Sequence, residues 1–216
     1  MDLDPPPEEG TRPEHLILAN PQSGSAQGSR DALEAWAGER GHTLVWTESL
    51  EQATTMAQAA AGTGQTLVAA GGDGTFQAVA RAALRGSEGP PVVGVIPLGT
   101  GNDLARSLGL TLELEHALGA IDAGHERHMD VLEVQQPSGG SPWCFNLASG
   151  GLSGELAEAL ESEVKERLGP LAYLWGGLLQ RDTISPFSVE LEVDGERWRE
   201  ERLLNVIVAN GKFAAG

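Results

Sequence analysis

Between residues 66 and 75 the chain reads Thr-Leu-Val-Ala-Ala-Gly-Gly-Asp-Gly-Thr, an apolar run that empties into a glycine turn holding one carboxylate, Asp73, and one hydroxyl, Thr75. That combination suits anion binding. Gly71, Gly72 and Gly74 can take positive φ and admit a ligand close to the main chain, so that successive N–H groups converge on an anion at the N-terminus of the next helix. A nucleotide is the expected anion. A second apolar run, Val92-Val-Gly-Val-Ile96, ends in Pro97-Leu-Gly-Thr-Gly-Asn-Asp-Leu-Ala-Arg106, again glycine and hydroxyl leading into a helical pattern. A third, His15-Leu-Ile-Leu-Ala19, runs into Asn20-Pro-Gln-Ser-Gly24. Three strand-to-loop junctions at one sheet edge would face one crevice.

The elements that must position these turns follow from the apolar pattern. Strands are expected at 15–20, 42–47, 66–71 and 92–96. Helices are expected at about 29–39, 50–61, 75–84, 102–108 and 113–123. Such alternation predicts a mostly parallel sheet covered by helices, with Gly41, Gly86 and Gly109 placed as C-caps. After Gly124 the character changes. Strands are expected at 127–134 and 143–148, a helical pair at about 155–167 and 170–180, and then strands at 188–193 and 201–209 across an Asp194-Gly195 hairpin turn. The chain thus divides into an acidic, proline-rich leader (residues 1–14), expected to be disordered, a nucleotide-binding domain (15–124) and a β-rich second domain (125–216).

Composition narrows the function. A formal charge of −17, with two lysines and twelve scattered arginines, argues against nucleic acid and against non-specific attraction to anionic membranes. Cys144 is the only cysteine, which rules out an internal disulfide and suits a reducing compartment. The leader is the opposite of a cationic, apolar secretory signal. The apolar stretch at 170–179 is about half the ~20 residues a membrane span needs. A soluble, cytoplasmic protein is expected.

Rival readings of the motifs fall short. A Rossmann fingerprint would need a glycine where Gln77 stands and an acid about 20 residues on, in a strand that has none. A Walker lysine is missing. Asp73 and Thr75 as plain helix caps would explain one turn, but not two of matching type. His125, His128 and Asp130 suggest a metal cluster, yet on an extended segment the two histidines point to opposite faces, and a surface strand is the better reading. The stripe from Leu171 to Leu179 reads as core before it reads as a lipid-facing surface. Lys165 and Arg167 read as solvated charges on a mixed helix, with a phosphate contact from a facing domain as the alternative.

Four segments in order, Asn20-Pro-Gln-Ser-Gly24, Gly71-Gly-Asp-Gly-Thr75, Pro97 to Arg106, and Phe145-Asn-Leu-Ala-Ser-Gly-Gly151, resemble the diacylglycerol kinase catalytic domain of bacterial soluble lipid kinases, diacylglycerol kinases and sphingosine kinases. The Gly-Gly-Asp-Gly-Thr element alone is shared with NAD kinases and echoed in phosphofructokinases; the Pro97 to Arg106 segment belongs with the lipid kinases. The resemblance implies an α/β fold: an N-terminal three-layer parallel-sheet domain like those of NAD kinases and diacylglycerol kinases, followed by a C-terminal β-sandwich. It implies ATP in the cleft with Mg²⁺ on its phosphates. The implied nucleotide-binding residues are Asn20, Ser23, Gly71, Gly72, Gly74, Thr75, Gly99, Thr100, Gly101 and Asn102. Asp73 matches the position proposed in sphingosine kinases for the base that takes the lipid proton, and a carboxylate there could equally orient the metal. The metal ligands are not assigned.

The acceptor implied is a lipid hydroxyl, most simply that of diacylglycerol, met transiently at a membrane surface. The alternatives are NAD-kinase-like phosphorylation of a soluble nucleotide and a catalytically degenerate nucleotide-binding module. Glu155 stands near the position where sphingosine kinases carry an aspartate for the substrate amine. The family's chain continues past Asn210-Gly211 into further strands, including an Asp-Asp-Gly-type metal-binding stretch in some bacterial members. The β-sandwich is therefore expected to be incomplete, and the chain to bind ATP but transfer phosphate slowly and to self-associate, as a homodimer for instance, through an open strand edge.

Overall fold

The computed structural model describes residues 14–135, 143–151 and 186–214. Its N-terminal part is built on four strands, β1 (His15–Ala19), β2 (Thr43–Trp46), β3 (Thr66–Gly71) and β4 (Val93–Pro97), all parallel in the order β2-β1-β3-β4. The central strands β1 and β3 are apolar without a polar alternation because both their faces are covered. Leu16 and Leu18 of β1 and Leu67 and Ala69 of β3 enter one core, whereas Ile17, Ala19, Val68 and Ala70 enter the other. The period of two thus sorts one continuous run into two cores.

Helices close both faces. α2 (Leu50–Ala60) and α3 (Asp73–Gly86) bury Ala53, Ala57, Phe76, Val79 and Ala83 in the first core. α1 (Ala26–Arg40) and α5 (Leu114–Ala123) bring Leu33, Trp36, Ala37 and Leu118 to the second. Each fully buried Leu, Ile or Val side chain contributes about 1.5–3 kcal/mol relative to leaving it in water. The five-residue α4 (Asp103–Ser107) sends Leu104 into the first core. Across the second layer Asp122 accepts from Trp36 Nε1 at 3.2 Å and Arg40 Nε at 2.7 Å, and that hydrogen bond holds the Arg40 pKa above its ordinary value.

Helix ends follow local chemistry with one correction. Gly41 and Gly124 are left-handed C-caps, with φ of 70° and 65°, and Gly109 (φ 75°) follows α4. Gly86 is not a cap. It is the last helical residue of α3, and a Cβ there would run into Ala61 and come within 3.2 Å of the Gln58 carbonyl, so glycine is needed for the α2 segment to approach.

Past Gly124 the strands are shorter than their patterns suggest. The run expected at 127–134 pairs only as β5 (Leu132–Glu133), with β6 (Trp143–Cys144). The run at 143–148 breaks at Phe145 and Asn146, and β7 (Leu147–Gly151) begins a new antiparallel pair with β10 (Asn205–Ala209). The hairpin is β8 (Phe187–Val193) and β9 (Glu196–Leu203), turned at Asp194 and Gly195 with φ of 53° and 84°, as a two-residue turn of this hand requires. The strand expected at 201–209 is therefore two, the end of β9 and all of β10. β9 begins earlier than its pattern shows because most of its side chains are in solvent and carry no apolar alternation. The expected helical pair at 155–167 and 170–180 lies outside the described residues.

The chain separates into two compact units. One contains the residues up to Asn146 together with Asn210–Ala214; the other spans Leu147–Ala209. Among the described residues no helix is long and apolar enough to cross a membrane.

Candidate functional site

The register fixes where the turns meet. Ala19 pairs with Trp46 and Ala70, and Gly71 with Pro97, so all four parallel strands end level on one edge and their loops emerge side by side. This is the edge at which open α/β sheets bind ligands.

After β1, Asn20 donates its N–H to Ala70 O, and its side-chain oxygen accepts from Gln22 N at 2.9 Å, closing an Asx turn. Its Nδ2 reaches Thr75 Oγ1 at 3.5 Å, the outer limit of a hydrogen bond. Thr75 is 3% exposed, so its hydroxyl joins two loops inside the protein. Ser25 donates both its N–H (3.0 Å) and its hydroxyl (3.2 Å) to Leu98 O, stitching the first loop to the loop after β4. At Gly24 a Cβ would lie 3.1 Å from Thr100 Oγ1.

The glycines of the second turn serve close approach rather than unusual dihedrals. None of Gly71, Gly72 and Gly74 has positive φ, which corrects the expectation that they would. A Cβ at Gly71 would collide with the Thr75 side chain. At Gly72 it would come 3.3 Å from the Cα of Gly99, and at Gly99 it would strike the Gly72 main chain and reach 2.8 Å from Asn102 Oδ1. The second and third turns therefore touch backbone to backbone. Gly74 differs: it is exposed, with nothing within 4 Å of its Cβ position.

Asn102 is 5% exposed and left-handed at φ 51°. Its Oδ1 accepts the Gly99 N–H at 3.0 Å and its Nδ2 donates to Gly99 O at 2.6 Å, so its amide is spent on shaping its own loop. Asp73, the first residue of α3, directs its carboxylate to the start of α4, accepting the N–H of Asp103 (3.1 Å) and of Leu104 (2.9 Å). Asp103 is a buried acid beside the half-buried Asp73. Carboxylate oxygens of Asp73 and Asp103 lie 3.5 and 4.0 Å from the place a Cβ on Gly101 would occupy.

Between Gly72, Asp73, Phe76, Pro97, Asn102 and Leu104 a cavity of about 10 Å³ remains, enough for one water. Around it Ser23, Gly24, Gly74, Thr100 and Gly101, none of them buried, form a rim. That rim includes the start of α3. Its first intrahelical bond runs from Phe76 N to Gly72 O, so the N–H groups of Gly74 and Thr75 precede the helical ladder and, with the helix dipole, offer an anion site.

Of the residues expected at the site, Asn20, Ser23, Gly71, Gly72, Asp73, Gly74, Thr75, Gly99, Thr100, Gly101 and Asn102 all lie on these adjoining junctions, Gly71 at the end of β3 and Asp73, Gly74 and Thr75 in the first turn of α3. Lys165, Arg167 and Glu155 lie outside the described residues. His125, His128 and Asp130 sit on exposed chain without regular structure, and no group of three metal-ligating side chains occurs among the described residues. Sequence reasoning passed over Thr47, whose N–H and hydroxyl both bind Ala19 O at the end of β2, and Ser25, Asp103 and Ser107. Ser25 and Asp103 adjoin residues already singled out, and their partners are distant in the chain.

The sequence profile described as diacylglycerol kinase catalytic domain matches residues 14–134. The "Probable lipid kinase YegS" of Escherichia fergusonii is 31% identical over 209 residues, covering 94% of this chain and 68% of that protein. The "Probable lipid kinase YegS-like" of Enterobacter sp. (strain 638) is 30% identical over 210 residues, covering 95% and 68%. A crystal structure of a diacylglycerol kinase from Bacillus anthracis str. Sterne superposes with a TM-score of 0.68 at 24% identity, covering 93% of this chain and 65% of that one, which shows a shared fold. The chain spans about two thirds of the length of these proteins.

Proposed function

This chain belongs to the diacylglycerol kinase catalytic domain family, and from that premise we propose that it takes part in ATP-dependent transfer of the γ-phosphate to a lipid hydroxyl, with diacylglycerol or a related lipid as acceptor. The observation that carries the proposal is the contact between Gly72 and Gly99. It places two glycine turns together at the open N-terminus of a 14-residue helix, where backbone can approach phosphate without a side chain between.

In this reading the N–H groups of Gly74 and Thr75 receive phosphate oxygens, and the exposed Thr100 and half-buried Ser23 add hydroxyls from the facing loops. An oxygen of each of Asp73 and Asp103 lies within 4.0 Å of the Cβ position of Gly101, and magnesium usually takes one or two carboxylates, completing its shell with phosphate oxygens and water. When bound, magnesium would neutralise the charge on the transferring phosphoryl group. The lipid oxygen attacks the γ-phosphorus in line, the bond to the bridging oxygen breaks, and ADP leaves with the electron pair. Asp73 is the acid inside the glycine turn. Both its oxygens already accept backbone N–H groups, so its first duty is to hold α4 and the Thr100 loop in place; receiving the lipid proton would use a remaining lone pair.

Transfer of labelled γ-phosphate, assayed side by side on diacylglycerol vesicles, other lipids and NAD, tests the proposal. Labelled lipid that depends on magnesium is the expected result. Labelled NAD with unlabelled lipids would replace the lipid acceptor with a soluble nucleotide, and no transfer together with no ATP binding would remove the kinase reading.

A further inference from the structure

α4 is too short to stand by itself: within it and its flanks the ladder runs through bonds such as Arg106 N to Asn102 O and Leu108 N to Leu104 O, and a helix of five residues does not persist without outside support. Leu104 and Ala105 anchor its middle in the core. Its ends are held by hydrogen bonds from distant parts of the chain. At the N-terminal end these are the two bonds to Asp73. At the C-terminal end the Ser107 hydroxyl donates to Asp103 O at 2.8 Å and accepts the N–H of Lys212 (3.0 Å) and of Phe213 (3.3 Å), which uses its full hydrogen-bonding capacity.

The segment that reaches Ser107 belongs to the same compact unit as the glycine turns and is itself firmly tied. The N–H groups of Asn210 and Gly211 both go to Asn146 O at 2.8 Å, and Asn146 Nδ2 donates to Phe213 O at 3.0 Å. Asn210 Nδ2 donates to Asp130 O (2.6 Å) and Phe145 O (2.9 Å). A Cβ on Gly211 would run into Asn146 Oδ1 and come 2.8 Å from Ser107 Oγ, so only glycine lets the strap lie this close.

We propose that Ser107 and the Asn210 to Phe213 strap are positioning residues for the glycine turns, acting on Asp73 through α4 and on Gly72 through Phe145 and Phe76. Two routes connect them. The first is a relay through one residue: Ser107 binds the carbonyl of Asp103, and the N–H of Asp103 binds Asp73. The second passes from Asn210 to Phe145, whose ring meets Phe76 edge-on at 5.4 Å between centroids, and Phe76 donates its N–H to Gly72 O. The meaning of this positioning for catalysis rests on the nucleotide reading above; the mechanical coupling does not.

Amide hydrogen exchange on the nucleotide-free 216-residue chain separates the two. Ser107→Ala should speed exchange of the Asp103 and Leu104 amides at least tenfold while leaving the Leu18 and Val68 amides of the sheet unchanged, and Ser107→Thr, which keeps a hydroxyl, should restore protection. Asn210→Ala should act in the same direction through the other end of the strap. With Mg·ATP added, Ser107→Ala should weaken affinity about tenfold and Ser107→Thr should recover most of it. Wild-type exchange at Asp103 and Leu104 in both alanine variants, or acceleration spread equally over the sheet amides, would overturn the proposal. Coupled exchange in a chain that binds no ATP would support the strap and sink the nucleotide reading instead.

Discussion

The two glycine-rich junctions after β3 and β4 are of one type in sequence and do opposite work. The turn after β3 opens α3, a 14-residue helix in which Gly74 is exposed and the first N–H groups precede the helical ladder. The turn after β4 opens α4, whose first N–H groups are filled by the Asp73 carboxylate and whose Asn102 is closed on Gly99. In the proposed reading one helix start is left for a ligand; the other is occupied by the protein. A helix N-terminus attracts an anion either way; what differs is whether the chain supplies that anion itself.

Gly99→Ala attacks the place where the two junctions touch. Its methyl would meet the Gly72 main chain and Asn102 Oδ1, so it should destabilise the protein by about 1–3 kcal/mol, the usual cost of overpacking, and abolish ATP binding. A variant with wild-type melting temperature and affinity would show that the junctions are independent.

Asp73→Asn probes the closed helix start. An amide cannot accept from both Asp103 and Leu104, since one of its two positions becomes an N–H donor facing another donor. Loss of about 1–3 kcal/mol is expected for the uncompensated group, with turnover lowered about 10²- to 10⁴-fold if the carboxylate also serves chemistry. Thermal melts and steady-state rates read these separately. A stability change with near-normal turnover would leave Asp73 as a cap for α4 only; weakened Mg·ATP binding would make it a metal-orienting group.

Gly74→Ala has the mildest effect on the fold and the sharpest meaning for the open helix start. The added methyl meets nothing within 4 Å, so the melting temperature should hold or rise slightly. ATP affinity should nevertheless fall, by about tenfold if phosphate lies against the main chain, a loss of about 1.4 kcal/mol. Equilibrium binding measured beside a melt decides it, and unchanged affinity would move the phosphate elsewhere on the rim.

The parallel sheet was readable in the chain because burial on both faces demands uninterrupted apolar runs. Those at 15–20, 66–71 and 92–96 match β1, β3 and β4 to within a residue or so. The C-terminal strands were harder. β9, Glu-Arg-Trp-Arg-Glu-Glu-Arg-Leu, has few buried side chains; its register comes from the Asp194-Gly195 turn and from cross-strand ion pairs such as Arg197 with Glu192 at 2.8 Å. Such pairs leave no apolar period to read.

For the site, the sequence by itself determined that small residues, hydroxyls and one carboxylate would gather at the C-terminal edge of a parallel sheet, because strand ends and glycine turns are local events governed by neighbouring residues. Only the tertiary structure decided which of those groups remain open. Asp73 reaches the start of a helix 30 residues away, Ser107 meets the N–H of a residue 105 positions on, and Gly99 needs to be glycine because Gly72 lies against it. A hydrogen bond or a close backbone contact depends on distance and angle in space, and the linear spacing of residues holds neither.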